Sequence, residues 1–229
     1  MHVPDGFLDA PTSIATGAVA VAGVAVALRK ARTELDDRTA PMAGLVAAFV
    51  FAGQMMNFPV GAGTSGHLLG GALAAVLVGP WTGALCISVV LLVQSLFMAD
   101  GGVTALGTNI VLMALVGAGV GYLAFRAVLA VLPKRLSSVS QAAAFGALVS
   151  VPVAATAFTL LFAIGGNAPV DTGKVLTAMV GWHVLIGIGE AIVTGLVVAA
   201  VLAARPDLVH GARPLLVERE LELRTGVTR

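Results

Sequence analysis

Charge is scarce in this chain. Only 11% of its 229 residues are Asp, Glu, Lys or Arg, against about 25% in a soluble globular domain. With 58% hydrophobic residues and a mean hydropathy of +0.99, it has too little polar surface to face water all round. An integral membrane protein is expected. Cysteine is nearly absent: Cys86 stands alone in an apolar run, which excludes a disulfide framework and any multi-cysteine zinc or iron–sulfur site. There is no Gly-Lys-Ser/Thr phosphate loop, so ATP is not bound in that way. No zinc-protease motif occurs, and the basic residues form no nucleic-acid stripe. A basic leader is missing as well. The start is acidic at Asp5 and Asp9 and interrupted by Pro4 and Pro11, unlike a secretory signal. The translated N-terminus is therefore expected to be the mature one, with the bulky His2 discouraging removal of Met1.

What is present is a series of apolar segments. A membrane helix needs roughly 20 predominantly apolar residues. Seven are read here, at about 13–28, 41–56, 67–80, 83–98, 109–132, 139–164 and 175–203. Breaks fall at Asn57-Phe58-Pro59, Gly79-Pro80, Asp100-Gly101-Gly102, Pro133-Lys134-Arg135 and Gly165 to Pro169. The fold class expected is an all-α bundle of about seven transmembrane helices. Residues 1–204 form the membrane domain and 205–229 a polar tail with a short surface helix near 217–223. Twelve of the thirteen Lys and Arg fall in loops of one parity, Lys174 being the exception. The positive-inside rule then places the N-terminus outside and the C-terminus in the cytoplasm, in a multi-pass protein of the cell membrane. Four segments meet at the external side: 1–11, 57–67, 99–109 and 165–174. Small residues recur four apart, as at Gly117 and Gly121, and let helices approach closely.

Few side chains in this chain can do chemistry. The N-terminal Met1-His2 offers a free amine, with an ordinary pKa near 8, then the His2 amide, then the His2 imidazole. These three nitrogens can chelate one ion in a plane, and a fourth completes the square favoured by Ni(II) or Cu(II). Pro4 biases Val3 towards an extended backbone. On its own, His2 better suits an incidental second residue on a frayed end. His67 lies in Gly63-Thr64-Ser65-Gly66-His67-Leu68-Leu69-Gly70-Gly71. Thr64 and Ser65 could cap the following helix or orient the imidazole, and His67 itself could be a capping residue with no ligand. His183 and Glu190 share one face of the last apolar segment, about 10 Å apart. They read as groups that orient a ligand, as relay groups, or, for Glu190 especially, as an interhelical hydrogen bond to Asn, Gln or Thr. Gln54, Asn57, Gln94 and Asn109 read as internal hydrogen-bonding groups, with Asn109 the best placed to steady a site. His210 is expected to be solvated in the tail.

Taken in order, Met-His-Val-Pro-Asp-Gly-Phe, Gly-Thr-Ser-Gly-His-Leu-Leu-Gly-Gly, Gly101-Gly102-Val103-Thr104-Ala105-Leu106-Gly107-Thr108-Asn109, and Trp182-His183 through Glu190-Ala191 resemble the CbiM/NikM family over residues 1 to about 200. That family comprises substrate-capture (S) subunits of cobalt and nickel energy-coupling-factor (ECF) ABC transporters. The resemblance implies a seven-helix bundle whose N-terminal segment enters the external pocket. It implies Ni2+ or Co2+ as the transported substrate, held by the Met1 amine, the His2 amide and imidazole, and the His67 imidazole. Thr64, Ser65, Asn109, His183 and Glu190 are candidates for the surrounding support. The implied partners are a transmembrane coupling (T) subunit, two cytoplasmic ATPases that hydrolyse the ATP, and often a small accessory membrane subunit. The cobalt branch of the family serves cobalamin biosynthesis. Val3 is a mild departure, since many members carry Ile there.

A different class of function also fits part of the sequence: a polytopic membrane metalloenzyme using His183 and Glu190. Such an enzyme would keep an open coordination position and a base beside it. It would tolerate an extension before Met1, whereas the capture site would not. A secondary metal carrier is disfavoured by the few carboxylates in the bundle. Nickel, cobalt and copper all suit the nitrogen set, and the sequence carries no discriminator among them.

Overall fold

The computed structural model describes residues 1–36, 39–61 and 64–225; Arg38, Gly63 and Arg229 lie outside them. Helix α1 spans Ala10–Ala31, where the Asp9 carboxylate accepts the Thr12 N–H at 2.9 Å and Pro11 sits in the first turn. That is an N-cap and a tolerated proline position together. Helix α2 (Ala40–Gln54) also opens on a proline. A two-stranded antiparallel hairpin follows, β1 (Phe58–Gly61) and β2 (Thr64–Gly66). Then come α3 (Gly71–Val78), α4 (Pro80–Phe97), α5 (Leu106–Val131), α6 (Leu136–Gly165) and α7 (Thr172–Ala204). Helix α8 (Arg213–Thr225) closes the described chain. Five of these helices, α1, α4, α5, α6 and α7, are long and apolar enough to cross a membrane. Helices α2 and α3 are shorter, at 15 and 8 residues. This is a mostly helical, multi-pass membrane protein.

Three departures from the sequence reading are informative. The hairpin interrupts an otherwise all-helical chain, because Pro59 breaks the helical run and the Thr-Ser-Gly stretch pairs with it as strand. Helix α3 begins at Gly71 rather than near His67. The cause is Gly70, whose φ of +74° is left-handed, a conformation glycine adopts without steric cost. His67 to Gly70 therefore run as irregular chain between the hairpin and α3. Thirdly, α5 contains an eight-residue π-helical stretch, Ile110–Gly117, a distortion that tends to sit beside functional sites.

Helix α3 lies at the centre with all eight residues buried, which is why it need not be long enough to face lipid. The core around it is built from Leu73, Leu77, Ile87, Leu112, Phe125, Phe158 and Met179. One end of the bundle carries the α1–α2 loop, the α5–α6 loop and the tail helix. There Arg213 donates to the Glu34 carbonyl oxygen at 3.2 Å, and Lys134 pairs with Glu218. Glu34 is buried and accepts from the Trp81 and Thr82 N–H groups at the start of α4. His210, expected to be solvated, is half-buried near Tyr122 at this end. The opposite end gathers the N-terminal segment, the hairpin, the α4–α5 loop and the α6–α7 loop.

Candidate metal-capture site

The first nine residues are fastened down at several points. The Asn109 side chain reads the backbone of Val3 on both sides: its Oδ1 accepts the Val3 N–H at 2.7 Å and its Nδ2 donates to the Val3 carbonyl at 3.1 Å. Gly102 N–H donates to the same carbonyl at 2.9 Å. The Asp5 carboxylate accepts from the Thr104 N–H and hydroxyl and from the Val103 N–H. Leu8 pairs with Gly166, with Asp9 N–H donating to Gly165 O at 2.7 Å and Asn167 N–H to Phe7 O at 2.9 Å. Phe7 packs on Phe158 and Phe162. A chain terminus is ordinarily frayed unless it is tied in this way. Here Met1 is 0% exposed and His2 is 4% exposed.

Burial of the terminus brings its donors to His67. The His2 and His67 rings stack with centroids 4.5 Å apart and planes 25° from parallel. His67 Nδ1 lies 2.8 Å from Leu68 O, so it carries the proton and donates. That leaves Nε2 with its lone pair, buried and without a hydrogen-bond partner among the described residues. His2 Nδ1 lies 2.9 Å from Asp100 Oδ1. The contact is close but off the direction of a ring N–H, and neither ring nitrogen of His2 has a well-directed hydrogen bond. Burial holds the Met1 amine well below its usual 8.0, with the Asp100 charge opposing the shift. Burial likewise holds His67 well below 6.5, assisted by the amine, His2 and His183 nearby. His2 is lowered too, by burial that outweighs the contact with Asp100. Each shift favours the neutral donor, the form in which nitrogen binds metal. No cluster of three or more His, Cys, Asp or Glu side chains with metal-ligand geometry occurs among the described residues. A site here must draw on the amine and backbone.

The supporting residues fall out differently from one another. Thr64 donates its hydroxyl to Gly61 O at 2.8 Å, closing the hairpin rather than capping α3 or touching His67. Ser65 lines a cavity of about 400 Å³ together with His2, Asn57, Thr64, Asp100 and Gly101. Gly101 has a φ of +86°, and a Cβ there would stand 3.1 Å from both Asn109 Nδ2 and the His2 ring. Glu190 is 1% exposed. Its two oxygens accept the consecutive N–H groups of Leu69 and Gly70 at 2.7 and 2.9 Å. The partner is thus backbone, not an Asn, Gln or Thr side chain. Gln54 donates to Leu69 O at 2.7 Å, so the peptide two residues after His67 is gripped from α7 and from α2. His183 sits on the same buried stripe of α7. Its Nδ1 lies 2.7 Å from Met179 O, and its Nε2 is buried without a hydrogen-bond partner among the described residues.

Asp100 is the functional candidate that sequence reasoning passes over. It follows the last turn of α4 and touches His2, while Asn57 donates to its other oxygen at 2.9 Å. Burial alone would raise its pKa, but His2, Asn57 and the amine outweigh that and hold it below 3.8. A carboxylate flanked by an apolar span and a Gly-Gly pair is the available signal. A larger open groove of about 710 Å³ runs along Asp171, Lys174, Thr177 and Trp182 and includes none of the candidate donors.

Known proteins place this arrangement in a lineage. The family described as "Cobalt uptake substrate-specific transmembrane region" matches residues 2–208. The chain is 38% identical over 209 to 218 aligned residues to relatives that include the cobalt transport protein CbiM of Sorangium cellulosum, covering 91% of this chain and 94% of that one. It is 37% identical to the fused nickel transport protein NikMN of Rhodobacter capsulatus, covering 99% of this chain and 69% of the relative. A crystal structure of a truncated transition metal transporter superposes with a TM-score of 0.83 at 31% identity, over 89% of this chain and 99% of that one. These relatives are transport proteins, not enzymes. The matched span takes in His2, His67, Asp100, Asn109, His183 and Glu190 alike, and the chain belongs to the CbiM family of cobalt uptake transmembrane proteins.

Proposed function

We propose that this protein captures Ni2+ or Co2+ at the outer face of the membrane and serves as the S subunit of an ATP-driven ECF transporter. The ion is held by the Met1 amine, the His2 amide nitrogen and imidazole, and His67 Nε2. The observation that carries this is the burial of the chain's own amine beside two stacked imidazoles, in which both ring nitrogens of His2 and Nε2 of His67 lack well-directed partners. Leaving buried polar atoms unpaired is costly, and an ion bonded at about 2.0–2.1 Å to each nitrogen would satisfy several at once. The stacked rings direct their lone pairs along nearly parallel planes, so an ion held by both requires one ring to turn out of the stack.

Seven passes fit the charge distribution, with α2 and α3 as the short ones, shielded from lipid in part by the longer helices. The basic end then faces the cytoplasm and the capture site faces out. Residues 205–229 are the cytoplasmic tail. The coupling subunit, two ATPases and a small accessory membrane subunit are the expected partners. The metalloenzyme reading loses its base, because both oxygens of Glu190 are committed to Leu69 and Gly70. The test is metal analysis of detergent-purified protein with a free Met1, beside His2→Ala, His67→Ala and a form extended by one residue before Met1. About one tightly bound ion is expected in the first and none in the other three. Undiminished binding by the extended form would defeat the proposal.

A further inference from the structure

We propose that Asp100 is the intake and counter-ion carboxylate of this site. It meets the hydrated divalent ion in the cavity at the mouth, gives up His2 Nδ1 to it, and stays beside the bound ion as its opposite charge. The inference rests on the capture reading above and adds a fifth, non-nitrogen participant to it.

Position is the first argument. The Asp100 side chain is 14% exposed where His2 is 4% exposed, and both line the same cavity of about 400 Å³. Asp100 therefore bridges solvent and donors. The second argument is which nitrogen it holds. A chelate that already includes the amine and the His2 amide can close a small ring only through Nδ1, the ring nitrogen nearer the backbone. Asp100 Oδ1 stands 2.9 Å from that same atom. When the ion takes Nδ1, any proton there moves to Nε2 through solvent, so the ring stays neutral. The amide proton leaves to bulk.

Charge is the third argument. Two positive charges on the ion meet one negative charge on the deprotonated amide, while the amine and both imidazoles are neutral. The complex alone would carry one net positive charge in a buried site, which is expensive unless compensated. Asp100 supplies the missing negative charge. The neighbouring carboxylates are engaged elsewhere: Asp5 with Val103 and Thr104, Asp9 with Thr12, Glu190 with Leu69 and Gly70. The fourth argument is backbone form. Ala99 has a φ of 51° and is the non-glycine residue in the left-handed region among those described. Such a conformation persists when surrounding structure over-determines it and clusters at functional sites. Here the Asp100 N–H donates to Gln94 O at 3.2 Å and the carboxylate is locked by Asn57, so the bend aims Asp100 at His2.

The experiment uses the full chain with a free Met1, purified in detergent, as wild type, Asp100→Asn and Asp100→Glu. Stopped-flow association of Ni2+ is followed across a salt series, dissociation constants come from chelator competition, and the melting temperature of the metal-free protein is measured in parallel. Asp100→Asn is expected to slow association about tenfold and flatten its salt dependence, since a carboxylate at the mouth steers cations. Its dissociation constant should rise about 10–100-fold, with the metal-free melting temperature unchanged. Asp100→Glu should recover the salt dependence. Wild-type rates and affinity in Asp100→Asn overturn the proposal. So does a loss of affinity that comes with a lowered melting temperature and an unaltered salt slope. If the wild type itself binds no ion, the donor set fails and the role of Asp100 falls with it. If the wild type binds and His67→Ala does not, the donor set holds, and the Asp100 variants then decide the carboxylate's role by themselves.

Discussion

Replacing Glu190 by Gln isolates how the His67 loop is held. The carboxylate accepts two consecutive N–H groups at 2.7 and 2.9 Å in a position that is 1% exposed. Glutamine presents one oxygen and one NH2, so one N–H keeps an acceptor and the other faces a donor. A buried unsatisfied N–H costs about 1–3 kcal/mol. Leu69 and Gly70 lie two and three residues after His67, and Gly70 holds the left-handed turn that opens α3. Loosening there frees the His67 ring to leave the position beside His2. If the cost is met by disorder of the loop that binding must reverse, the same ~1–3 kcal/mol appears in the ion's affinity, a rise in dissociation constant of about 5–150-fold at tenfold per 1.4 kcal/mol. Chelator competition with Ni2+ and Co2+ on the free-Met1 protein measures this. Amide exchange at Leu69 and Gly70, followed by mass spectrometry, reports whether the loop opens. Unchanged affinity with unchanged exchange would refute the idea that α7 positions His67. A drop in melting temperature with intact affinity would assign Glu190 to stability alone.

Three further outcomes follow from the same geometry. Asn109→Ala removes both side-chain hydrogen bonds to the Val3 backbone and should weaken Ni2+ binding about 10–100-fold in the chelator assay, while Asn109→Asp, which keeps an acceptor for the Val3 N–H, retains part of it. The pH dependence has a definite sign. The Met1 amine and His67 are depressed below 8.0 and 6.5 by burial, so the unfolded chain binds more protons than the folded one below those values. Metal-free stability is therefore fullest above pH 8 and declines as pH falls through 8 and then 6.5, read as melting temperature against pH. Because burial favours the neutral form of these donors, calorimetry in buffers of differing ionisation enthalpy should find proton release on binding that comes mainly from the His2 amide.

The segments themselves are legible because apolar length and Pro/Gly punctuation are local properties. Pro41, Pro80 and Pro133 mark boundaries within a few residues of those observed. Part of the charge grouping is legible too, since Arg213 joins the tail helix to the first loop and Lys134 joins it to the α5–α6 loop. What the sequence hides depends on contacts made far along the chain. Glu190 reads as an interhelical partner for a side chain, yet its partners are backbone groups 120 and 121 residues away. No periodicity announces an exposed N–H pair. The hairpin escapes because Phe-Pro-Val-Gly and Thr-Ser-Gly carry no alternation to detect. Asp100 escapes because a lone carboxylate after a span reads as a solvated cap until His2 is placed against it.

The distribution of satisfied and unsatisfied atoms points to what the N-terminal end is built for. Around the first nine residues the backbone is matched closely: Val3 on both its N–H and its carbonyl, Asp5 by three donors, Phe7 and Asp9 by the α6–α7 loop. That matching supplies the free energy needed to hold an otherwise frayed terminus in place. Inside the enclosure the pattern reverses. His2 and His67 keep ring nitrogens without partners among the described residues, and the amine is stripped of solvent. A fold that only needed a packed end would place apolar residues where these nitrogens stand, as α3 does at all eight of its buried positions. A rigid frame around under-coordinated donors is instead the arrangement that gives selectivity by geometry, because the order of intrinsic affinities alone would favour copper. The frame, through Asn109, Glu190 and Asp100, is therefore where differences between nickel and cobalt handling should be sought by mutation, ahead of the donors themselves.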